Sequence, residues 1–301
     1  DAQIAGGKGA SLGQMLQLSL PVPKGFVVLT SAFKEVFFGT EYGARINQLL
    51  LEICDQCSLR RVAKLIQELI INAEISFHVE RDIMASFADL PFDCVAVRSS
   101  ATSEDSATAS WAGQFDSFLN TTHDELMLNI RRCWASLFSD RAISYLIHCD
   151  SKDMSVAVVV QGMINSRISG TAFSVHPVTG QSDVILIESC IGLGETLVLG
   201  REMPTTFLVK KDGLTVSHKD IGEQKNGLRR SANSKGNELF VVDYTMQPLS
   251  DSEAQEVARL VLDVEQKFGF PVDVEWAYEG GRLYLLQSRP ITTTFKIPKV
   301  Q

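Results

Sequence analysis

The chain has 301 residues, 45% of them hydrophobic, and 36 Asp and Glu against 28 Lys and Arg give a formal net charge of -8. That length exceeds one ordinary domain, so two lobes or two domains are expected. The acidic balance excludes a broad basic face for nucleic acid, and no apolar run approaches membrane-spanning length.

Residues 6–20 read as a glycine-rich loop entering a helix, with Leu12, Met15, Leu16 and Leu20 at helical spacing and Pro21 and Pro23 ending it. A strand is expected over residues 25–30 (GFVVLT), with Ser31 as N-cap of a short helix after it. Residues 41–88 are mostly helical in pattern; Leu59, Val62, Leu65, Ile66, Leu69 and Ile70 form one apolar stripe, a packing face. Cys54 and Cys57 make a CxxC with no second pair to complete a zinc set. The six cysteines read as reduced thiols, which suits a cytoplasmic protein.

A short strand over 94–97 runs into the polar stretch 98–110 (RSSATSEDSATAS), which is expected to stay out of the core. Another strand follows over 115–120, then a long helix with Leu126, Ile130, Trp134, Leu137 and Phe138 on one side. Residues 154–164 read as a buried strand, and shorter strands follow near 170–175, 184–190, 205–210, 215–221 and 240–243. Residues 231–237 are the candidate mobile loop. A helix over 252–268 turns Val257, Leu260, Val261 and Val264 inward, and a hairpin closes the chain before a loose tail. The absence of a regular β-then-α alternation disfavours a doubly wound sheet and points to α+β.

The hairpin carries the densest chemistry. Asp273 and Glu275 share one face of their strand, and Gln287 and Arg289 share one face of theirs. A three-residue loop, Glu279-Gly280-Gly281, would pair Asp273 with Gln287 and bring all four onto one face; a two-residue loop would set the pairs on opposite faces. Such a set is costly to bury without a partner. Mg²⁺, which takes oxygen ligands together with substrate phosphates, supplies one reason for it. A solvated face with surface ion pairs supplies another.

Three further segments are weaker. GGKGASLG (residues 6–13) could present backbone N–H groups to phosphate at a helix start, yet it is neither a Walker A loop nor GxGxxG, and an ordinary helix-entry turn fits it as well. Residues 98–113 offer small hydroxyl side chains to a phosphate chain, or form a plain surface loop. GLGE at 192–195 reads as a tight turn, and the five histidines show no ligand spacing and read as structural or surface residues.

Taken in order, GGKGASLG with PVPKGFVVLT, VAVRSSATSED with ASWAGQFDSFLN, CWASLFSDRAISY, VVVQGMI with SGTAFSVHPVTG, GLGE, and VDVEWAY with LYLLQSRPITT cover nearly the whole chain. This series resembles the N-terminal ATP-grasp domain of the phosphoenolpyruvate synthase, pyruvate phosphate dikinase and rifampicin phosphotransferase family. The resemblance implies an α+β ATP-grasp fold with two lobes enclosing a nucleotide cleft, placed at 1–160 and 161–295, with 296–301 as tail or linker. It implies ATP and Mg²⁺ as cofactors. It also implies transfer of the β-phosphoryl of ATP to a histidine on a separate swivelling domain, then to pyruvate or a small-molecule hydroxyl such as that of a rifamycin.

By motif, Lys8 and Arg98 correspond to phosphate contacts, Gly113 and Ser117 to the loop over the phosphates, and Gln161 and Met163 to the adenine contact. Glu275 and Gln287 correspond to the Mg²⁺ ligands with Asp273 in support, and Arg289 to the cation that stabilises charge during transfer; Lys8, Arg98 and Arg289 are the catalytic set. The family's phosphohistidine loop is not among these 301 residues, so the chain is expected to be a fragment that binds ATP without carrying the acceptor. The rival expectation is a catalytically silent nucleotide-sensing or scaffolding module, which would lack one of the metal or cationic residues.

Overall fold

A computed structural model describes residues 1–102, 116–149, 155–198, 200, 202–231, 236–243 and 249–291; the side chains of 145–149 and 198 are not among those described. Gly113, most of the 98–113 loop, residues 232–235 and the tail after 291 lie outside the described residues. The chain divides into two compact units, Asp1–Ala10 with Lys24–Met163, and Ser11–Pro23 with Ile164–Gln301.

Up to Met163 the elements are α1 (Ala2–Gln17), β1 (Gly25–Val28), α2 (Thr30–Phe37), α3 (Glu41–Leu50), α4 (Gln56–Ile71), α5 (Phe77–Ala88), β2 (Val95–Ala101), β3 (Ser117–Thr121), α6 (Leu126–Ser136), α7 (Asp140–Cys149) and β4 (Val156–Gly162). The strands form one antiparallel sheet in the order β1-β4-β2-β3. Strand alternation sends Val95, Val97, Val156, Val158 and Val160 into a core shared with Phe33, Phe37, Ile66, Ile70, Ile130 and Trp134. The same alternation leaves Ala96, Arg98 and Ser100 on the opposite face.

Two expectations need correction in this unit. Ser31 lies within the first turn of α2, whose N-cap is Leu29 with no side-chain cap bond. The start of the polar stretch is strand and not exposed loop: β2 continues through Ala101, and Ser99 and Ser100 are buried, Ser99 on the valine face and Ser100 on the opposite one. Their hydroxyls are satisfied, which is what makes burial tolerable. Ser99 Oγ is within hydrogen-bond distance of Ser136 Oγ and of the Asp116 and Cys133 carbonyls. The apolar stripe of α4 packs as expected at Leu59, Val62, Ile66 and Ile70, while Leu65 is exposed at the stripe's edge.

After Met163 come β5 (Ile168–Phe173), β6 (Val184–Ile191), α8 (Glu195–Val198), β7 (Thr205–Lys210), β8 (Val216–Asp220), β9 (Asn226–Arg230), β10 (Asn237–Val241), α9 (Asp251–Phe268), β11 (Val272–Glu279) and β12 (Arg282–Pro290). Six strands form an antiparallel sheet, β12-β11-β5-β6-β7-β8, and β9 pairs with β10 in a small ribbon. The polar sequence of β9, NGLRR, hid it from periodicity.

Helix α9 packs against this sheet. A capping box between Ser250 and Glu253 starts it, and Gly269 in the left-handed region (φ 79°) stops it. Val257, Leu260, Val261 and Val264 are buried as expected, and Val272, Val274 and Trp276 are fully buried on the alternate positions of β11. The mixed architecture, with antiparallel ladders and no β-α-β alternation, is the α+β class read from the sequence. Among the described residues no helix is long and apolar enough to cross a membrane.

The closing hairpin departs from the expected turn. Glu279 pairs with Arg282, so the loop is the two residues Gly280-Gly281, both with positive φ (57° and 77°). Alone, that turn would put the two polar pairs on opposite faces. A register shift between Glu275 and Trp276 undoes this: Trp276 faces Leu285 while Glu275 faces Gln287, so Leu286 is the extra residue of a β-bulge. Beyond the bulge Asp273 faces Arg289, and all four polar residues share one face.

Candidate nucleotide site

In the first unit, the glycine-rich segment lies against β2. Helix α1 kinks at Gly6 (φ 69°, ψ 171°). A Cβ there would stand 2.1 Å from the Ser100 carbonyl oxygen, so the close approach admits only glycine. Ser100 Oγ donates to the Ala5 carbonyl (2.8 Å) and accepts from the Gly9 amide (3.1 Å). Lys8 Nζ donates to the Ser99 carbonyl (3.2 Å), next in sequence to Arg98.

Arg98 in turn pairs across the sheet with Ser117 on one side and Val159 on the other, and Ala96 pairs with Gln161. Arg98, Ser117 and Gln161 therefore occupy one sheet face, the one turned from the valine core. Gln161 is 3% exposed, and its Nε2 has no hydrogen-bond partner among the described residues. Met163 follows β4 and donates its amide to the Cys94 carbonyl (3.1 Å). Gly113 lies outside the described residues.

In the second unit, register extends the hairpin's polar face across three more strands. Glu275 pairs with Thr171, Thr171 with Glu188, and Glu188 with Thr206. Gln287, Glu275, Thr171, Glu188 and Thr206 thus form a row, on the face opposite the one that carries Val274 and Trp276. Thr171 Oγ1 donates to Glu188 Oε2 at 3.1 Å. Glu188 and Thr171 escaped the sequence reading; the signal was a single carboxylate inside the apolar run VILIESCI.

Charge crowds this face. Burial, Glu275 and Glu188 together push the Asp273 carboxyl up to about 6, against the opposing pull of Arg289. Asp273 Oδ1 is buried with no hydrogen-bond partner among the described residues. The Gln287 amide lies beside Arg289; turned so that its oxygen faces the guanidinium, Oε1 accepts from Nη2 at 2.8 Å and from Nε at 2.5 Å.

These donors are all oxygens, and the orphaned Asp273 oxygen is what a hard cation would satisfy. Among the described residues no group of three or more His, Cys, Asp or Glu is placed to hold a metal. The set therefore does not form an all-protein cage, and a hard cation held here would need further oxygens from a ligand or water.

Elsewhere, GLGE runs from a β-bridge at Gly192 (φ 90°), which presses against the Leu228 backbone, to the first residue of α8, so it is a strand-to-helix connection and not a separate tight turn. His78, His123 and His218 are exposed. Among the described residues, the exposed Cys54 and Cys57 and the buried Cys94, Cys133 and Cys190 are not in disulfides.

The chain is 38% identical to the probable phosphoenolpyruvate synthase of Methanocaldococcus jannaschii, over 98% of this chain and 26% of that protein. It is 34% identical to the rifampicin phosphotransferase of Bacillus cereus, over 99% of this chain and 35% of that protein. It thus spans about a quarter to a third of these relatives' lengths. Among solved structures, the D-alanyl-alanine synthetase A of Vibrio cholerae overlays with a TM-score of 0.37 at 11% identity, over 95% of this chain and 55% of that one. The pyruvate phosphate dikinase AMP/ATP-binding domain matches residues 2–301, and the chain belongs to that family.

Proposed function

We propose that this chain is the Mg-ATP-binding catalytic domain of an ATP-dependent dikinase with the two-lobed ATP-grasp fold. Residues 1–160 and 161–295 are assigned to its lobes. The observation that carries the reading is the carboxylate-amide-guanidinium face of the closing hairpin, brought into register by a bulge, in a chain of an AMP/ATP-binding family.

In this reading Lys8 and Arg98 hold the phosphates, with Ser117 and the loop containing Gly113 alongside them. Gln161 supplies a buried amide to the adenine, and Met163 lies at its ring. Glu275 and Gln287 hold Mg²⁺, with Asp273 in support and Glu188 as a further carboxylate on the same face. Arg289 offsets the charge that builds on the transferred phosphoryl. Bound Mg²⁺ would supply charge neutralisation on the phosphate oxygens. The rest is positioning, which phosphoryl transfer chiefly needs.

The acceptor is proposed to be a histidine on a separate swivelling domain, with onward transfer to pyruvate or to a hydroxyl of a drug-like molecule. The names of the relatives, a phosphoenolpyruvate synthase and a rifampicin phosphotransferase, support both ends of that range. A cytoplasmic setting accords with the free thiols.

Calorimetry tests the binding claim. Mg-ATP is expected to bind with measurable heat and to raise the melting temperature. Absence of both would overturn the reading.

A further inference from the structure

We propose that Ser100 is a positioning residue that sets the Lys8 ammonium beside Arg98 for the nucleotide phosphates; the proposal rests on the phosphate role given to Lys8 above. Ser100 is fully buried in β2, two residues beyond Arg98. Its hydroxyl touches two backbone groups of α1, the Ala5 carbonyl at 2.8 Å and the Gly9 amide at 3.1 Å. These groups stand four residues apart and bracket Lys8. A regular helix would join that carbonyl and that amide directly. Here a side chain from a strand stands on both, at the place where α1 kinks.

The bridge needs a group that donates and accepts at once, in little space. A serine hydroxyl does so, and alanine offers neither function. The contact is enforced from the other side by Gly6, whose missing Cβ lets the backbone of α1 reach the Ser100 carbonyl. Lys8 then donates to Ser99, between Arg98 and Ser100. One tripeptide, Arg98-Ser99-Ser100, therefore supplies a cation, an acceptor that orients a second cation, and the clamp that fixes the second cation's backbone. A buried hydroxyl in this place is more than a satisfied core serine, because both its partners flank a proposed ligand contact.

The test is a double-mutant cycle on the whole chain, with Mg-ATP and adenosine as probes. Ser100→Ala is expected to weaken Mg-ATP about tenfold, the scale of one or two lost hydrogen bonds. Adenosine affinity is expected to stay within about twofold, since adenosine has no phosphate for Lys8. In a Lys8→Ala background the Ser100→Ala loss is expected to shrink below about twofold, the coupling that two residues acting as one unit show. Ser100→Thr, which keeps the hydroxyl, is expected to restore Mg-ATP binding.

Additive losses, or an equal loss for adenosine, would mean that Ser100 merely supports the fold and would overturn the proposal. If Lys8→Ala alone leaves Mg-ATP affinity unchanged, the phosphate role of Lys8 fails and the proposal goes with it, a result distinct from additivity. Should Ser100→Ala not fold, Ser100→Cys, which fills the space but weakens both hydrogen bonds, takes its place; the same non-additivity with Lys8→Ala is expected, and additivity would overturn the proposal.

Discussion

Asp273 shows how far one side chain can be pushed by its neighbours. Its carboxyl is raised from 3.8 to about 6 by burial and by two other carboxylates on its face. A folded-state value above the unfolded one favours the protonated form. The stability this brings is fully present below pH 4 and is lost as pH rises through 6. Asp273→Asn removes that loss. The metal-free variant is expected to be more stable than the parent at pH 8 by up to about 3 kcal/mol, with the gain vanishing near pH 4. Denaturant unfolding at both pH values checks this; an equal difference at both would show that ionisation of the buried Asp273 is not the cause. With Mg-ATP present the parent should recover the lost stability, because the proposed cation neutralises the face.

At the scale of elements, the Leu286 bulge decides what the hairpin can do. Inserting one alanine between Leu286 and Gln287 moves every residue beyond the bulge by one position, and a one-residue slip sends every side chain beyond it to the other face. Gln287 and Arg289 would then point toward the α9 side, where Val274 and Trp276 are fully buried. Loss of Mg-dependent ATP binding together with a lowered melting temperature is expected from that insertion, whereas deleting Leu286 keeps Glu275 opposite Gln287 and is expected to keep binding. Retained binding after the insertion would show that the register is not what assembles the site.

The sequence made the polar residues of this hairpin legible because strand alternation needs only their spacing. It misplaced the turn, because Glu-Gly-Gly suits a two- or a three-residue loop and nothing local marks Leu286 as a bulge. Long apolar stripes such as α4 and α9 were readable for the same reason of period. Glu188 and Thr171 were not, since only pairing between distant strands brings them beside Glu275. The burial of Ser99 and Ser100 was hidden too: a serine-rich run reads as loop until its hydrogen-bond partners from α1 and α6 are known.

Over the whole molecule, the chain carries candidate residues for binding and activating ATP, and the proposed acceptor lies on another domain. Alone it is expected to bind Mg-ATP with negligible net phosphoryl transfer. Adding a matching histidine domain in trans is expected to produce a phosphohistidine that retains label from the β-phosphorus of ATP. A phosphohistidine that carries the γ-phosphorus while the β-label stays in ADP, or no transfer at all, would contradict the dikinase proposal while leaving ATP binding untouched.

The central claim is that the carboxylate face binds ATP through Mg²⁺, and calorimetric titration of ATP into the parent chain and Glu275→Ala, each with Mg²⁺ and with a chelator, tests it most directly. The account predicts that Mg²⁺ tightens ATP binding to the parent by at least about tenfold, since the ion bridges protein and phosphates, and that Glu275→Ala loses most of that gain. An undiminished Mg²⁺ gain in the variant, or no gain in the parent, would contradict it.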